Sequence, residues 1–359
     1  MHTAFILPDL GGGGAERLTV DLIQGFVDRG ARVDLVLMQA RGEFLSLVPR
    51  GVRVIDLAAP RLRQAFGPLR RYFRQERPDC ALASMWPLST VAIGAAMGLA
   101  RRPRIAVVDH CPLAEQYGDQ PGTLVALRTT IRALYRRADA VIGVSRGVAD
   151  EIAGMAGMKR NQVAAIFNPV PYPLRSQTSI DAPWQGHDGK RILAVGRLTA
   201  AKNFRLLIDA FAALPQTVDA RLAIVGEGEL RAELEAQIAQ LGLCGKVILP
   251  GFVATPGDWY VGANLLALTS DYEGFGNVLV EAMHCGLTIV ATDCPGGVGE
   301  VLGNGKWGTL VPCKDPVALS AAIEQALAAP ADPDVQRARA REFSVDLAVE
   351  AYWQALSPA

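Results

Sequence analysis

The chain has 359 residues, half of them hydrophobic, with 36 basic and 36 acidic side chains and six cysteines. That length exceeds what a single core usually serves, so two domains are expected. The composition is that of an ordinary globular protein, and scattered cysteines with no C-x-x-C pair exclude a disulfide framework or a zinc ribbon, pointing to a reducing compartment. The balanced total hides an asymmetry. Residues 1–170 hold 22 Lys and Arg against 15 Asp and Glu, and residues 171–359 hold 14 against 21, so the first half favours an anionic surface or ligand.

Residues 3–7 read as a short apolar strand, 9–14 as a glycine-rich loop, 15–29 as a helix with Leu18, Leu22, Ile23 and Phe26 on one face, and 32–38 as the next strand. This β-α-β start lacks the G-x-G-x-x-G spacing of a dinucleotide site, so nicotinamide or flavin is not expected. Four consecutive glycines, 11–14, exceed what a plain turn needs and favour close approach of backbone to a ligand. A strand follows at 52–57.

Residues 60–79 then place Arg61, Arg63, Arg70, Arg71, Arg74 and Arg77 among Leu62, Phe66, Leu69, Tyr72 and Phe73. Two readings stand side by side: an interfacial element facing anionic lipid, or a solvated helix whose apolar stripe packs on the sheet. The pattern does not fit nucleic acid. Residues 80–100 carry no charge, but Ser84, Pro87, Ser89 and Thr90 interrupt them, so a strand and a buried helix are expected rather than a membrane span. Strand 104–108 ends at Asp109 and His110, and a histidine there lies where open α/β sheets put their ligands. A helix over 124–138, a strand over 140–144 and a helix beginning at Ser145 complete the first domain, 1–170.

Residues 171–189 are rich in Pro, Ser, Gln and Gly and read as a linker. Alternation restarts with strands at 191–195, 221–225, 246–249, 264–268 and 288–291 and helices between them, a second parallel sheet over 190–343. Two helical segments, 316–328 and 346–355, end the chain. The first half begins directly in a strand-like run without a basic leader, so no secretory signal is expected.

Residues 270–281, SDYEGFGNVLVE, are the stretch the rest is organised around. A buried strand, a glycine-bracketed turn and a helix form a geometry that seeks anions, because the first N–H groups of a helix have no internal partner and carry partial positive charge. Gly274 and Gly276 let backbone approach a ligand. Glu273 and Glu281 flank the turn, and carboxylates suit sugar and ribose hydroxyls because they accept several hydrogen bonds at once. Read from the residues alone, a helix cap and a solvated glutamate account for them equally well.

The two-domain layout, the GGGGAER loop, Gly196-Arg197-Leu198 followed by Lys202-Asn203, and Glu273-Gly-Phe-Gly-x4-Glu281 resemble the retaining glycosyltransferases of family 4 over essentially the whole chain. The resemblance implies an α/β GT-B fold, two Rossmann-like domains facing each other across a cleft, with a helix at 344–359 returning to the first domain. It also implies roles. Arg197 and Lys202 would neutralise a donor diphosphate, Glu281 would bind the ribose, and Glu273 and His110 would lie at the transferring sugar. Gly12, Gly13, Gly14, Gly196, Gly226, Gly274, Phe275, Gly276 and Asn277 would line the donor, with Phe252 and Val253 at the nucleobase.

No Asp-x-Asp pair stands beside a sheet edge; Asp332-Pro-Asp334 reads as a turn. The expectation is therefore transfer without metal or cofactor, from a nucleotide sugar, preferably of UDP, to a saccharide or lipid-linked acceptor. The enzyme would be cytoplasmic, peripheral at the inner face of the plasma membrane. A GDP-mannose enzyme, a nucleotide-sugar 2-epimerase and a silent nucleotide-sugar-binding module are the alternatives.

Overall fold

The computed structural model describes residues 1–11, 13–172, 184 and 188–357, so Gly12 and most of the expected linker lie outside the described residues. The chain divides into two compact units, Met1–Pro169 with Ser344–Ala359, and Val170–Phe343.

The first unit runs β1 (His2–Leu7), α1 (Gly14–Asp28), β2 (Arg32–Leu37), β3 (Arg53–Asp56), α2 (Leu62–Glu76), β4 (Cys80–Ser84), α3 (Leu88–Ala96), β5 (Arg104–Asp109), α4 (Leu113–Tyr117), α5 (Pro121–Leu134), β6 (Ala140–Gly143), α6 (Arg146–Ala156) and β7 (Ala164–Ala165). Its seven strands are parallel in the order β3-β2-β1-β4-β5-β6-β7. Strands sandwiched by helices on both faces must be buried on both, which is why β1 and β4 are mostly apolar and almost wholly buried. Helix α5 begins and ends earlier than the periodicity suggests. Pro121 supplies a φ already suited to the first turn, and the last residues of the expected helix tighten into a 3₁₀ turn at Tyr135–Arg137. Buried Asp34 braces the amino edge of the sheet by accepting from Arg53 (3.0 and 2.7 Å), Tyr72 Oη (2.7 Å) and His2 Nε2 (2.8 Å).

Helix α2 divides its arginines. Ala65, Leu69, Tyr72 and Phe73 are buried, whereas Arg61, Arg63, Arg71, Arg74 and Arg77 are exposed. Arg70 instead reaches the end of α3, donating to the carbonyls of Ala95 (3.0 Å) and Met97 (2.7 Å), so five of the six arginines face outward. Residues 80–100 form β4 and α3, and no helix among the described residues is long and apolar enough to cross a membrane.

The second unit runs β8 (Lys190–Val195), α7 (Phe204–Ala212), β9 (Ala220–Val225), α8 (Arg231–Gln240), β10 (Val247–Gly251), α9 (Gly257–Gly262), β11 (Leu265–Leu268), α10 (Asn277–His284), β12 (Thr288–Thr292), α11 (Val298–Val301), β13 (Thr309–Val311), α12 (Pro316–Ala328) and α13 (Pro333–Ala340). Six parallel strands follow the order β10-β9-β8-β11-β12-β13, the doubly wound arrangement whose strand order reverses between β8 and β11. Asp332 is the cap of α13, accepting from the amide of Asp334 at 2.9 Å, rather than part of a free turn. The last helix, α14 (Val345–Leu356), belongs to the first unit. It lies close on α1: a Cβ on Gly25 would stand 2.4 Å from Val349 Cγ2, and Trp353 meets Phe26 at 5.2 Å between ring centroids.

Candidate active site

In an open α/β sheet, ligands are held at the carboxyl ends of the strands next to the point of reversal, because the loops there diverge and leave a crevice. The second unit brings its motif residues to that edge. β10 ends at Phe252 and Val253, β9 at Gly226, β8 at Gly196, Arg197 and Lys202, and β11 at Ser270 to Asn277.

The loops after β8 and β11 are laced together. Thr269 Oγ1 donates to the carbonyl of Lys202 (2.9 Å), the Asp271 amide to that of Ala201 (2.8 Å), and Asn203 Nδ2 to Asp271 Oδ1 (3.0 Å). Asn203 sits in the left-handed region at φ 46° and caps α7 through its side-chain oxygen. These contacts bring Lys202 to Glu273. The ammonium pairs with Glu273 Oε1, which also accepts from Ser270 Oγ at 2.7 Å. Glu273 is fixed by its main chain as well, donating its amide to Pro295 O (3.0 Å) and accepting from Gly297 N (3.1 Å), which ties the turn to the loop after β12. Arg197 is exposed and has no carboxylate partner among the described residues.

Gly226 explains why the β8 and β9 loops can meet. A Cβ there would lie 1.9 Å from the carbonyl oxygen of Gly196, and its φ of 151° disfavours any side chain. Gly276, the residue preceding α10, lies at φ 88° and adds no side-chain cap, leaving the start of the helix to the main chain. Phe275 turns inward: its ring is buried against Phe343, 5.3 Å between centroids. Phe252, by contrast, is 49% exposed at the carboxyl end of β10. On the second turn of α10, Glu281 Oε2 accepts a hydrogen bond from the hydroxyl of Tyr260, a residue that sequence reasoning passed over. No local signal marks Tyr260, since α9 and α10 are apart in the chain and only packing joins them.

In the first unit the glycine loop follows β1, and Gly13 precedes α1 in extended conformation without a side-chain cap. The loop is braced by its neighbour: Leu10 N donates to Arg41 O (2.9 Å), Phe44 N to Leu10 O (3.2 Å), and Gly42, at φ 118°, has no room for a Cβ against Leu10. Gly14 opens α1. His110 follows β5, and neither of its ring nitrogens, both shielded from solvent, has a partner among the described residues. Burial pushes the imidazole down to about 4. Asp109, beside it, accepts from Tyr135 Oη (2.7 Å) and Trp86 N (3.0 Å), and burial pushes its carboxyl up to about 6.

A neutral His110 has a measurable consequence. Its folded pKa lies below the ordinary value near 6.5, so His110 favours the folded state above about 6.5 and that contribution is lost as pH falls toward 4. Titration of the imidazole by NMR is expected to show no protonation at pH 6; a midpoint near 6.5 would contradict the buried, unpaired ring.

Two doubly wound parallel-sheet units in series define an α/β protein of the GT-B type. Residues 12–172 match the family model "Glycosyltransferase Family 4" and residues 177–343 the model "Glycosyl transferases group 1". The chain belongs to these family 4 glycosyltransferases.

It is 34% identical over 181 residues to the N-acetylgalactosamine-N,N'-diacetylbacillosaminyl-diphospho-undecaprenol 4-alpha-N-acetylgalactosaminyltransferase of Campylobacter jejuni, covering 50% of this chain and 48% of that one. The chain thus matches about half the length of that relative. It is 26% identical over 340 residues, 91% of this chain and 89% of the other, to a second C. jejuni enzyme, a GalNAc-alpha-(1->4)-GalNAc-alpha-(1->3)-diNAcBac-PP-undecaprenol alpha-1,4-N-acetyl-D-galactosaminyltransferase. Among solved structures, HepE of Anabaena in complex with UDP superposes with a TM-score of 0.81 at 25% identity, covering 99% of both chains.

Proposed function

We propose that this chain is a retaining glycosyltransferase that moves a hexose or N-acetylhexosamine from a nucleotide diphosphate sugar, a UDP-sugar by preference, to a lipid-linked saccharide in surface-glycan assembly. The observation that carries the reading is the arrangement of Lys202, Glu273 and the uncapped start of α10 at the strand-order reversal of the second sheet. Breaking the bond from the anomeric carbon to the diphosphate leaves negative charge on the departing phosphate. Arg197, Lys202 and the amides of the Gly274 to Asn277 turn are the groups suited to stabilise it. The two cations and the amide dipoles support a mechanism without metal, in which the acceptor hydroxyl gives its proton to the departing phosphate on the same face as the attack. Glu281 would hold the ribose, Phe252 and Val253 the nucleobase, Gly196 and Gly226 the diphosphate by close backbone, and Phe275 would contribute its main chain. His110 would contact the transferring sugar, and Gly13 and Gly14 would offer backbone amides.

The relatives that act on undecaprenol diphosphate sugars support a lipid-linked acceptor, and the UDP complex supports uridine. Five exposed arginines on α2 and at its two caps, with Phe66 44% and Met97 41% exposed nearby, support peripheral contact with an anionic membrane. The test is a thermal-shift and hydrolysis screen of UDP- and GDP-sugars, with and without EDTA. Stabilisation by a UDP-sugar with slow, EDTA-insensitive hydrolysis is expected. Stabilisation by GDP-mannose alone would replace the donor, free epimerised sugar would replace the reaction, and no shift with any nucleotide would overturn the reading.

A further inference from the structure

Most arginines around α5 are engaged by the fold. Arg136 donates to the carbonyls of Ala156 (2.7 Å) and Gly157 (2.5 Å) at the end of α6, and Arg102 to Asp139 (3.1 Å) and the carbonyl of Arg137 (2.8 Å). Arg128 and Arg132 are not: both are exposed, and neither has a hydrogen-bond or carboxylate partner among the described residues. They stand one helical turn apart on one face of α5, where like charges repel and an anion between them would relieve the repulsion.

Both line a cavity of about 690 Å³ between α5 and α6, within the roughly 300–1,000 Å³ usual for ligand sites. Ala114, Ala133, Gly154 and Met155 give it an apolar wall, and Val125, 66% exposed on the same face of α5, extends that surface. The lining also contains Glu151, whose carboxylate serves the start of α4 rather than either arginine: its oxygens accept from the amides of Leu113 and Ala114, each at 2.8 Å. The cavity starts beside the site already described. Ala114 lies four residues past His110, whereas Arg132 is near the end of α5, which leads down to the amino end of β6. A chain entering at the carboxyl edge of the sheet therefore meets the two arginines on its way down the outside of the unit.

We propose that this cavity holds the diphosphate and the first isoprenoid units of a polyprenyl-linked saccharide acceptor, with Arg128 and Arg132 on the two phosphates and the apolar wall against the chain. This rests on the reading of the acceptor as lipid-linked. Guanidinium forks suit phosphate oxygens, and a cavity that is cationic and apolar at once suits a phosphorylated lipid better than a free anion.

The experiment is calorimetric binding of farnesyl diphosphate and of inorganic diphosphate, with UDP at saturation to fill the donor site, to the full chain, to Arg128→Gln and to Arg132→Gln. Each substitution is expected to lower affinity for farnesyl diphosphate about 10-fold, the scale of one lost charge-assisted contact, while UDP affinity and melting temperature stay unchanged because both side chains are exposed and unpaired. Inorganic diphosphate should bind the full chain at least about 10-fold more weakly than farnesyl diphosphate, since it has no chain to cover the apolar wall. Equal affinity for the two probes would make this a free-phosphate site and overturn the proposal. A loss in the variants confined to phosphatidylglycerol vesicles would make the arginines a membrane contact and overturn it as well. UDP binding with farnesyl diphosphate unaffected by either substitution overturns this proposal alone; absence of UDP binding overturns the proposed function, and this proposal with it.

Discussion

Lys202→Ala is expected to lower sugar transfer by about 10²- to 10³-fold, the typical effect of removing one group preorganised for charge that develops in the transition state. The ammonium is well placed for this because its backbone is locked from both sides, its own carbonyl accepting from Thr269 and the adjacent Ala201 carbonyl from the amide of Asp271. Glu273 holds the head group in place before any donor arrives. Preorganisation of that kind acts on the barrier rather than on ground-state binding, so the fall should appear mainly in kcat. Stability should change by only about 1 kcal/mol, since Lys202 is 27% exposed and Glu273 retains the Ser270 hydroxyl. Steady-state kinetics with a matched melting curve decide the matter. A Lys202→Ala protein that transfers sugar at the native rate would remove Lys202 from the mechanism.

Gly226→Ala should be damaging for a different reason. The new methyl would need the space of the Gly196 carbonyl oxygen, 1.9 Å away, at a φ of 151°. Neither side can yield easily, because Gly196 N is bonded to Val225 O (3.0 Å) and Gly226 N to Gly251 O (2.9 Å). Overpacking and backbone strain together should cost about 3 kcal/mol or more. Displacing Gly196 also displaces Arg197, so nucleotide affinity should fall at least about 10-fold in whatever protein folds. Urea denaturation and calorimetry read the two effects separately. Loss below about 1 kcal/mol with native affinity would show that the strand ends part without consequence.

Much of this is legible in the sequence. Runs such as residues 3–7 and 264–268 read as buried strands because they lack polar alternation and are shorter than a helix usually is. The glycines at 274 and 276 and the flanking glutamates marked the turn before α10, because that chemistry is local to a dozen residues. What stayed hidden depends on neighbours far away in the chain. Phe275 stands in the middle of the motif, yet its ring serves the core through Phe343. Arg70 looks like its neighbours on α2, but the end of α3 claims it. The helix expected over 124–138 is Pro121–Leu134 in the structure, where Pro121 sets the start and a 3₁₀ turn the finish.

The sequence by itself determined the class of fold and the motif at the start of α10, since strand burial, helix periodicity and glycine permissiveness are all properties of short segments. Only the tertiary structure decided that β8 and β11 are neighbours at the reversal of strand order, that Lys202 meets Glu273, and that Tyr260 holds Glu281. Lys202 and Glu273 are separated by 71 residues, and Tyr260 and Glu281 by 21. Pairings at those separations are set by how helices and strands pack, and no local propensity encodes them.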